Sequence, residues 1–298
     1  MSVDAVVEGV HFRRDTAPPR AIGRKALASA FSDIAATGAK PAEAYVVFGI
    51  PADLDERACL EVLEGLIEGA AAWSITLAGG DVTRSPALFL SVTATGTLEA
   101  VEDAVRRDGA GPGQLVAVTG ELGGAAAGLL LLEREPLAAE LDPSLADALR
   151  SRQLAPTPRL AAGRVLAGAG AAAMIDLSDG LASDAAHVAR ASGARLEIEL
   201  ERLPLAAGVA EVALAAAADA TELAIAGGED YELLVCLPPD ALAAAERALA
   251  ATGTPLSVVG SVTEGPAEVV LRDASGSRRE ARGYDHLRQG AAERAGSA

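Results

Sequence analysis

The stretch AAAMIDLSDGLASDAAHVARASG (171–193) decides how the chain is read. An apolar run ends at Asp176. Asp179 follows three residues later, with Ser178 between them, and Gly180 opens a helical pattern. Two carboxylates at the mouth of a strand repel each other. Two explanations stand at this point. The acids form a turn and a helix cap, with Ser178 or Asp179 as the N-cap, or they share a cation.

Outward from this stretch, strand-like and helix-like segments alternate along the 298 residues. Residues 21–36 have helical spacing, 42–50 are β-rich, and 55–73 set apolar residues on one helical face with acids on the other. SITLAGGD (74–81) reads as a short strand entering a Gly-Gly turn, and ALFLSVTATGTL (87–98) as a long strand. This order favours an α+β sandwich over a doubly wound sheet. RRDGAGPGQ (106–114) holds three glycines and a proline, and marks a domain boundary. Domains are expected at 1–110 and 111–288, with 289–298 as a disordered tail. VTGELGGAAAGLLLLE (118–133) then repeats the strand–glycine–helix theme.

Composition narrows the function. The net charge is −17, and half the residues are apolar with only 3% aromatic, so Ala, Leu and Val fill the core. Nucleic-acid binding needs a basic footprint, which is missing overall. An acidic chain also suits an anionic membrane poorly. No uncharged apolar run is long enough to span a bilayer, and no signal segment opens the chain. Cys59 and Cys236 lie far apart in apolar patterns and read as small buried hydrophobes. A soluble, reduced, cytoplasmic protein is expected.

Four acidic stations sit where an element meets a glycine or a turn: Asp4, Asp33, Asp81 and the Asp176/Asp179 pair. Each alone is better explained by a solvent-facing side chain, turn chemistry or a cap. Together they suit Mg²⁺, which takes oxygen ligands from a few carboxylates and from substrate phosphates. The glycines of AGGD and VTGELGGAAAG can bring backbone N–H groups near an anion, and a helix starting at Gly180 would add its positive end. Neither GxxxxGK[ST] nor GxGxxG after a strand occurs, so P-loop and Rossmann readings are poor. No GxSxG or supported triad is present. AGGEDYELL (226–234) sets Glu229 and Asp230 before a strand, and from pattern alone a turn with acidic edges is equally good. His11 in GVHF is one of three histidines, and a packed surface role is the commoner one.

DAVVEGVHF, ALASAFSDIAATGAKP, LAGGDVTRSP, VTGELGGAAAGL, IDLSDGLASD, AGGEDYEL and GYDH occur here in the order seen in bacterial thiamine-monophosphate kinases. The resemblance runs from residue 2 to about 286. IDLSDGL combined with GGEDYEL is its most specific part. The resemblance implies the two-domain α/β fold shared with aminoimidazole ribonucleotide synthetase. In that fold an N-terminal sheet domain dimerises, and a C-terminal α/β sandwich domain closes over the nucleotide. It implies direct, Mg²⁺-assisted phosphoryl transfer from ATP to thiamine monophosphate, in a homodimer.

Matched by motif, Asp4, Asp33, Asp81, Asp176 and Asp179 would be Mg²⁺ ligands, with Ser2 adding an oxygen. Gly80, Asp81, Arg107 and Ser178 would meet ATP. Arg107 and Asp179 would act on the phosphoryl group in flight. His11 and Glu229 would contact the thiamine phosphate, and Tyr284 of GYDH would close on its rings. The family often has an aromatic just ahead of that glycine, where this chain has Ala281 and Arg282. Family members also begin a few dozen residues earlier, with a Gly-Asp-Asp segment supplying another ligand and the first strand. A misplaced start is therefore expected. The alternatives are a catalytically impaired nucleotide-binding paralogue, or another ATP-dependent synthetase of the superfamily.

Overall fold

The computed structural model describes residues 1–279. Residues 280–298, which include Tyr284 and the expected tail, lie outside the described residues. The first domain runs β1 (Ser2–Val7), α1 (Pro19–Ala36), β2 (Lys40–Ile50), α2 (Glu56–Trp73), β3 (Thr76–Arg84) and β4 (Phe89–Thr97). The second runs β5 (Leu115–Thr119), α3 (Gly124–Glu133), α4 (Pro143–Leu154), α5 (Leu160–Gly168), β6 (Ala173–Asp176), α6 (Leu181–Ser192) and β7 (Arg195–Glu199). It continues through α7 (Val209–Ala215), α8 (Ala220–Ile225), β8 (Leu233–Leu237), α9 (Leu242–Ala250), β9 (Leu256–Thr263), β10 (Val269–Arg272) and β11 (Arg278–Arg279).

The first sheet has the order β1-β4-β2-β3, antiparallel except for the β2–β3 pair. Alternation in β4 buries Leu90, Val92 and Ala94 toward the helices and turns Ser91 and Thr93 the other way. α2 is amphipathic. Its N-cap Asp55 accepts the Ala58 N–H at 2.7 Å, and Ser74 closes it in a left-handed conformation. The second sheet has the order β11-β10-β7-β9-β5-β8-β6, parallel only between β10 and β7. Both sheets are thus mixed, in an α/β fold without the parallel core of a doubly wound sheet.

SITLAGGD does not end in a turn. β3 passes straight through Gly79 and Gly80 to Arg84, paired with β2. A Cβ on Gly80 would run into the Val46 carbonyl oxygen, so this glycine permits a close strand approach rather than a chain reversal.

α1 joins the two domains. It starts with Pro19 at its first position and is buried on nearly all sides, because Ala, Ser and Gly let neighbours come close. Its Phe31, Ile34 and Ala35 belong to one core with Met174 of β6, Leu166 of α5, Val235 of β8 and Leu249 of α9. That core therefore includes side chains from both sheets. One consequence positions the site: Lys25, Ser29 and Asp33 recur every fourth residue, forming one line along α1.

Candidate active site

A cleft of about 880 Å³ lies where β1 and α1 of the first domain meet the strand ends of the second. Its walls include Asp4, Asp33, Asp176, Asp179, Ser178, His11 and Glu229, each proposed from the sequence. Asp4 alternates with buried Val6 on the helix side of β1, and Asp33 ends the line on α1. Asp176 is the last residue of β6, and Ser178 and Asp179 form the turn before α6. Ser2 donates its hydroxyl hydrogen to Asp33 Oδ2. A second recess of about 500 Å³ contains Ser2, Asp33 and Arg107, with Arg107 Nη2 3.7 Å from Asp33 Oδ1.

Asp176 is 4% exposed, and its pKa is pushed up to about 7 by burial first and by Asp33 next. A buried carboxylate beside other carboxylates is a setting that a hard cation would complete, and oxygen donors of this kind suit Mg²⁺. Among the described residues no three such groups form a closed metal cluster. The fit is therefore to an ion that keeps waters and shares substrate oxygens, rather than to a protein cage.

Neither Ser178 nor Asp179 caps α6; Gly180 holds the N-cap position, with no side-chain cap. Asp184, one turn inside the helix, accepts from the Ser178 and Asp179 N–H groups at 3.0 Å each. Burial, then Asp176 and Asp179, push its pKa up to about 8. The anion cradle expected in VTGELGGAAAG is filled from within: Asp230 accepts from the Gly123 and Ala125 N–H groups at 2.7 and 3.0 Å. Burial outweighs those two bonds and lifts Asp230 to about 7.

The second motif is stitched to the first. The Glu229 N–H donates to Ser178 O at 2.8 Å, and the Tyr231 N–H to Leu177 O at 2.9 Å. Glu229 and Tyr231 take positive φ values of 68° and 50° to do so. Next to them Glu232, 1% exposed, accepts from Thr119 Oγ1 at 2.7 Å and pairs with Arg159. His11 Nδ1 accepts the Val7 N–H at 3.1 Å.

Gly80 and Asp81 stand apart. The registers align Asp4 with Val92, Val46 and Gly80, and Ala5 with Ser91, Val47 and Asp81. Asp81 therefore lies on the far edge of the sheet, three strand spacings or about 14 Å from β1. It also faces away from the helices, in company with exposed Val3, Tyr45 and Val47.

Sequence reasoning missed Lys25, Ser29, Gln153 and Asp184. Lys25 carried a signal, as one of only two lysines, and Asp184 lies inside the opening motif. Gln153 carried none.

Residues 1–98 match the N-terminal domain of AIR synthase related protein, and 111–273 its C-terminal domain. Thiamine-monophosphate kinases of Mycobacterium tuberculosis and Bacillus subtilis are each 38% identical over 68% of the chain. The matches span 59% and 62% of those relatives' lengths. The crystal structure of the thiamine-monophosphate kinase from Stenotrophomonas maltophilia K279a is similar at 34% identity and a TM-score of 0.84, covering 93% of this chain and 85% of that one. AaThiL complexed with AMPPCP and TMP is similar at 33% identity and a TM-score of 0.84, covering 96% and 86%. HypE in complex with ATP, at 21% identity and a TM-score of 0.77 (covering 97% and 85%), shares the fold. With both halves of the architecture matched in sequence, and a structural relative at a third identity along most of its length, the chain belongs to the AIR synthase-related family.

Proposed function

We propose that the chain is a thiamine-monophosphate kinase. The γ-phosphoryl group of ATP passes to a phosphate oxygen of thiamine monophosphate, giving thiamine diphosphate and ADP. The observation that carries this is the cleft to which both domains contribute carboxylates: Asp4 and Asp33 from one, Asp176 and Asp179 from the other. A similar protein binding an ATP analogue and TMP supports it.

Both reactants are polyanions, so their approach must be screened before the in-line geometry can form. Asp4, Asp33, Asp176 and Asp179, with Ser2 against Asp33, would hold Mg²⁺, which supplies that screening and polarises the phosphoryl oxygens. Ser178 and Arg107 serve the nucleotide, and Arg107 balances charge on the moving group. His11 and Glu229 hold the acceptor. The attacking oxygen is already anionic, so no general base is required. One P–O bond forms, the β,γ-bridging P–O bond breaks, and its electron pair leaves with ADP.

Asp81 enters this scheme through a homodimer. A second copy packed on the outer face of the first sheet is the route by which Gly80 and Asp81 reach a cleft that β1 and α1 line. We place the enzyme in the cytoplasm and the domain limits at 110/111.

The test is ADP release from ATP and Mg²⁺ with thiamine monophosphate as acceptor. Turnover that falls by about 10²-fold or more in Asp176→Asn is expected, the scale for removing a group that stabilises transition-state charge. Absence of turnover by the wild-type protein overturns the proposal.

A further inference from the structure

Lys25 is 3% exposed, at the head of the line on α1. An ammonium has three N–H donors, and three oxygens lie within reach: His11 O at 2.9 Å, Glu229 Oε1 at 2.8 Å and Glu229 Oε2 at 2.9 Å. Glu229 Oε2 also accepts from Gln153 Nε2 at 2.6 Å. His11 lies in the first domain, in the turn between β1 and α1. Glu229 belongs to the second, in the turn before β8. Both line the main cleft and a smaller cavity of about 150 Å³ beside it, where Lys25 also contributes.

Packing does not explain this residue. A buried ammonium is costly unless oxygens replace its water, and Met would fill a similar volume without that cost. Glu229, at φ +68°, also sits in a backbone region that non-glycine residues avoid. Its carboxylate is aimed by its partners: Lys25 from one domain and Gln153 from the other.

We propose that Lys25 is a positioning residue for the acceptor end of the cleft. It fixes the Glu229 carboxylate and the His11 turn to each other across the domain boundary, so that the two make one binding edge. The acceptor's identity rests on the function proposed above; the latch itself does not.

Two measurements on Lys25→Met test this. In steady-state kinetics the KM for thiamine monophosphate should rise about tenfold, while kcat and the KM for ATP stay within about twofold, the pattern of lost uniform binding on one substrate. In substrate-free hydrogen exchange, amides at 227–231 should exchange faster than in wild type. The double variant Lys25→Met/Glu229→Gln should be little worse than Glu229→Gln alone, since Lys25 acts through that carboxylate. If Lys25→Met does not fold, Gln153→Ala removes the other partner of Glu229 and should raise the same KM by a smaller factor. An unchanged acceptor KM, an equal rise for ATP, or unchanged exchange at 227–231 overturns the proposal. A wild-type chain without turnover would defeat the kinase reading, and the exchange arm alone would then decide the latch.

Discussion

Asp176 and Asp184 are buried and Asp230 half-buried, each with a pKa raised from 3.8, to about 7, 8 and 7 respectively. The sign of the resulting pH dependence follows. Between about pH 4 and 7 the unfolded chain has lost these protons while the folded chain still holds most of them. Their stabilising effect is complete below the unfolded pKa and lost as pH rises through 7 to 8. The Tm of the metal-free protein should therefore fall from pH 5 to pH 8. Asp184→Asn keeps an oxygen that can accept from Ser178 and Asp179 but cannot ionise, so its fall should be shallower. Differential scanning calorimetry at fixed ionic strength checks this, and equal slopes in both proteins would contradict it. Asp184 lies in the quoted motif yet was not singled out, because its partners are backbone groups behind it. Lys25 escaped for a related reason: spacing shows a helical face, but not which oxygens wait across a domain boundary.

At the scale of elements, the site depends on two turns bonded backbone to backbone, 176–180 and 227–231. A Cβ on Gly228 would meet the Ser178 carbonyl oxygen, which is also the acceptor for Glu229 N–H. Gly228→Ala should push the turns apart, costing about 1–3 kcal/mol as overpacking does, and should lower activity more than stability. Urea unfolding and ADP-release kinetics on the same variant separate the two effects. The alternation of elements and the positions of Asp4, Asp33, Asp176 and Asp179 were legible from sequence, because strand ends and helix periodicity are local patterns. The course of AGGD was not. Gly-Gly is turn chemistry locally, and only pairing with β2, some thirty residues earlier, makes it a strand interior. The filling of the α3 N-terminus by Asp230 was equally out of reach, since those groups meet only after folding.

At the scale of the whole molecule, one chain keeps Asp81 on the opposite face of the sheet from Asp4. If a second copy supplies it, two defective chains can complement each other. Asp81→Ala and Asp176→Ala chains should each be inactive alone, and mixing followed by co-refolding should restore up to about a quarter of wild-type activity, because half the dimers are mixed and each has one intact site. No recovery, with mixed dimers demonstrated by differently tagged chains, would place Asp81 outside the site or in the same chain's cleft. The burial of α1 has a further consequence, for biosynthesis. Its core partners include Val235 and Leu249, so the helix must wait for roughly two hundred more residues, or about 10–40 s of translation at ordinary rates. During that interval Phe31 and Ile34 have no final partners from the second domain. The nascent chain is therefore a natural client for chaperones, and slowing translation late in the message would lengthen its exposure rather than help it fold.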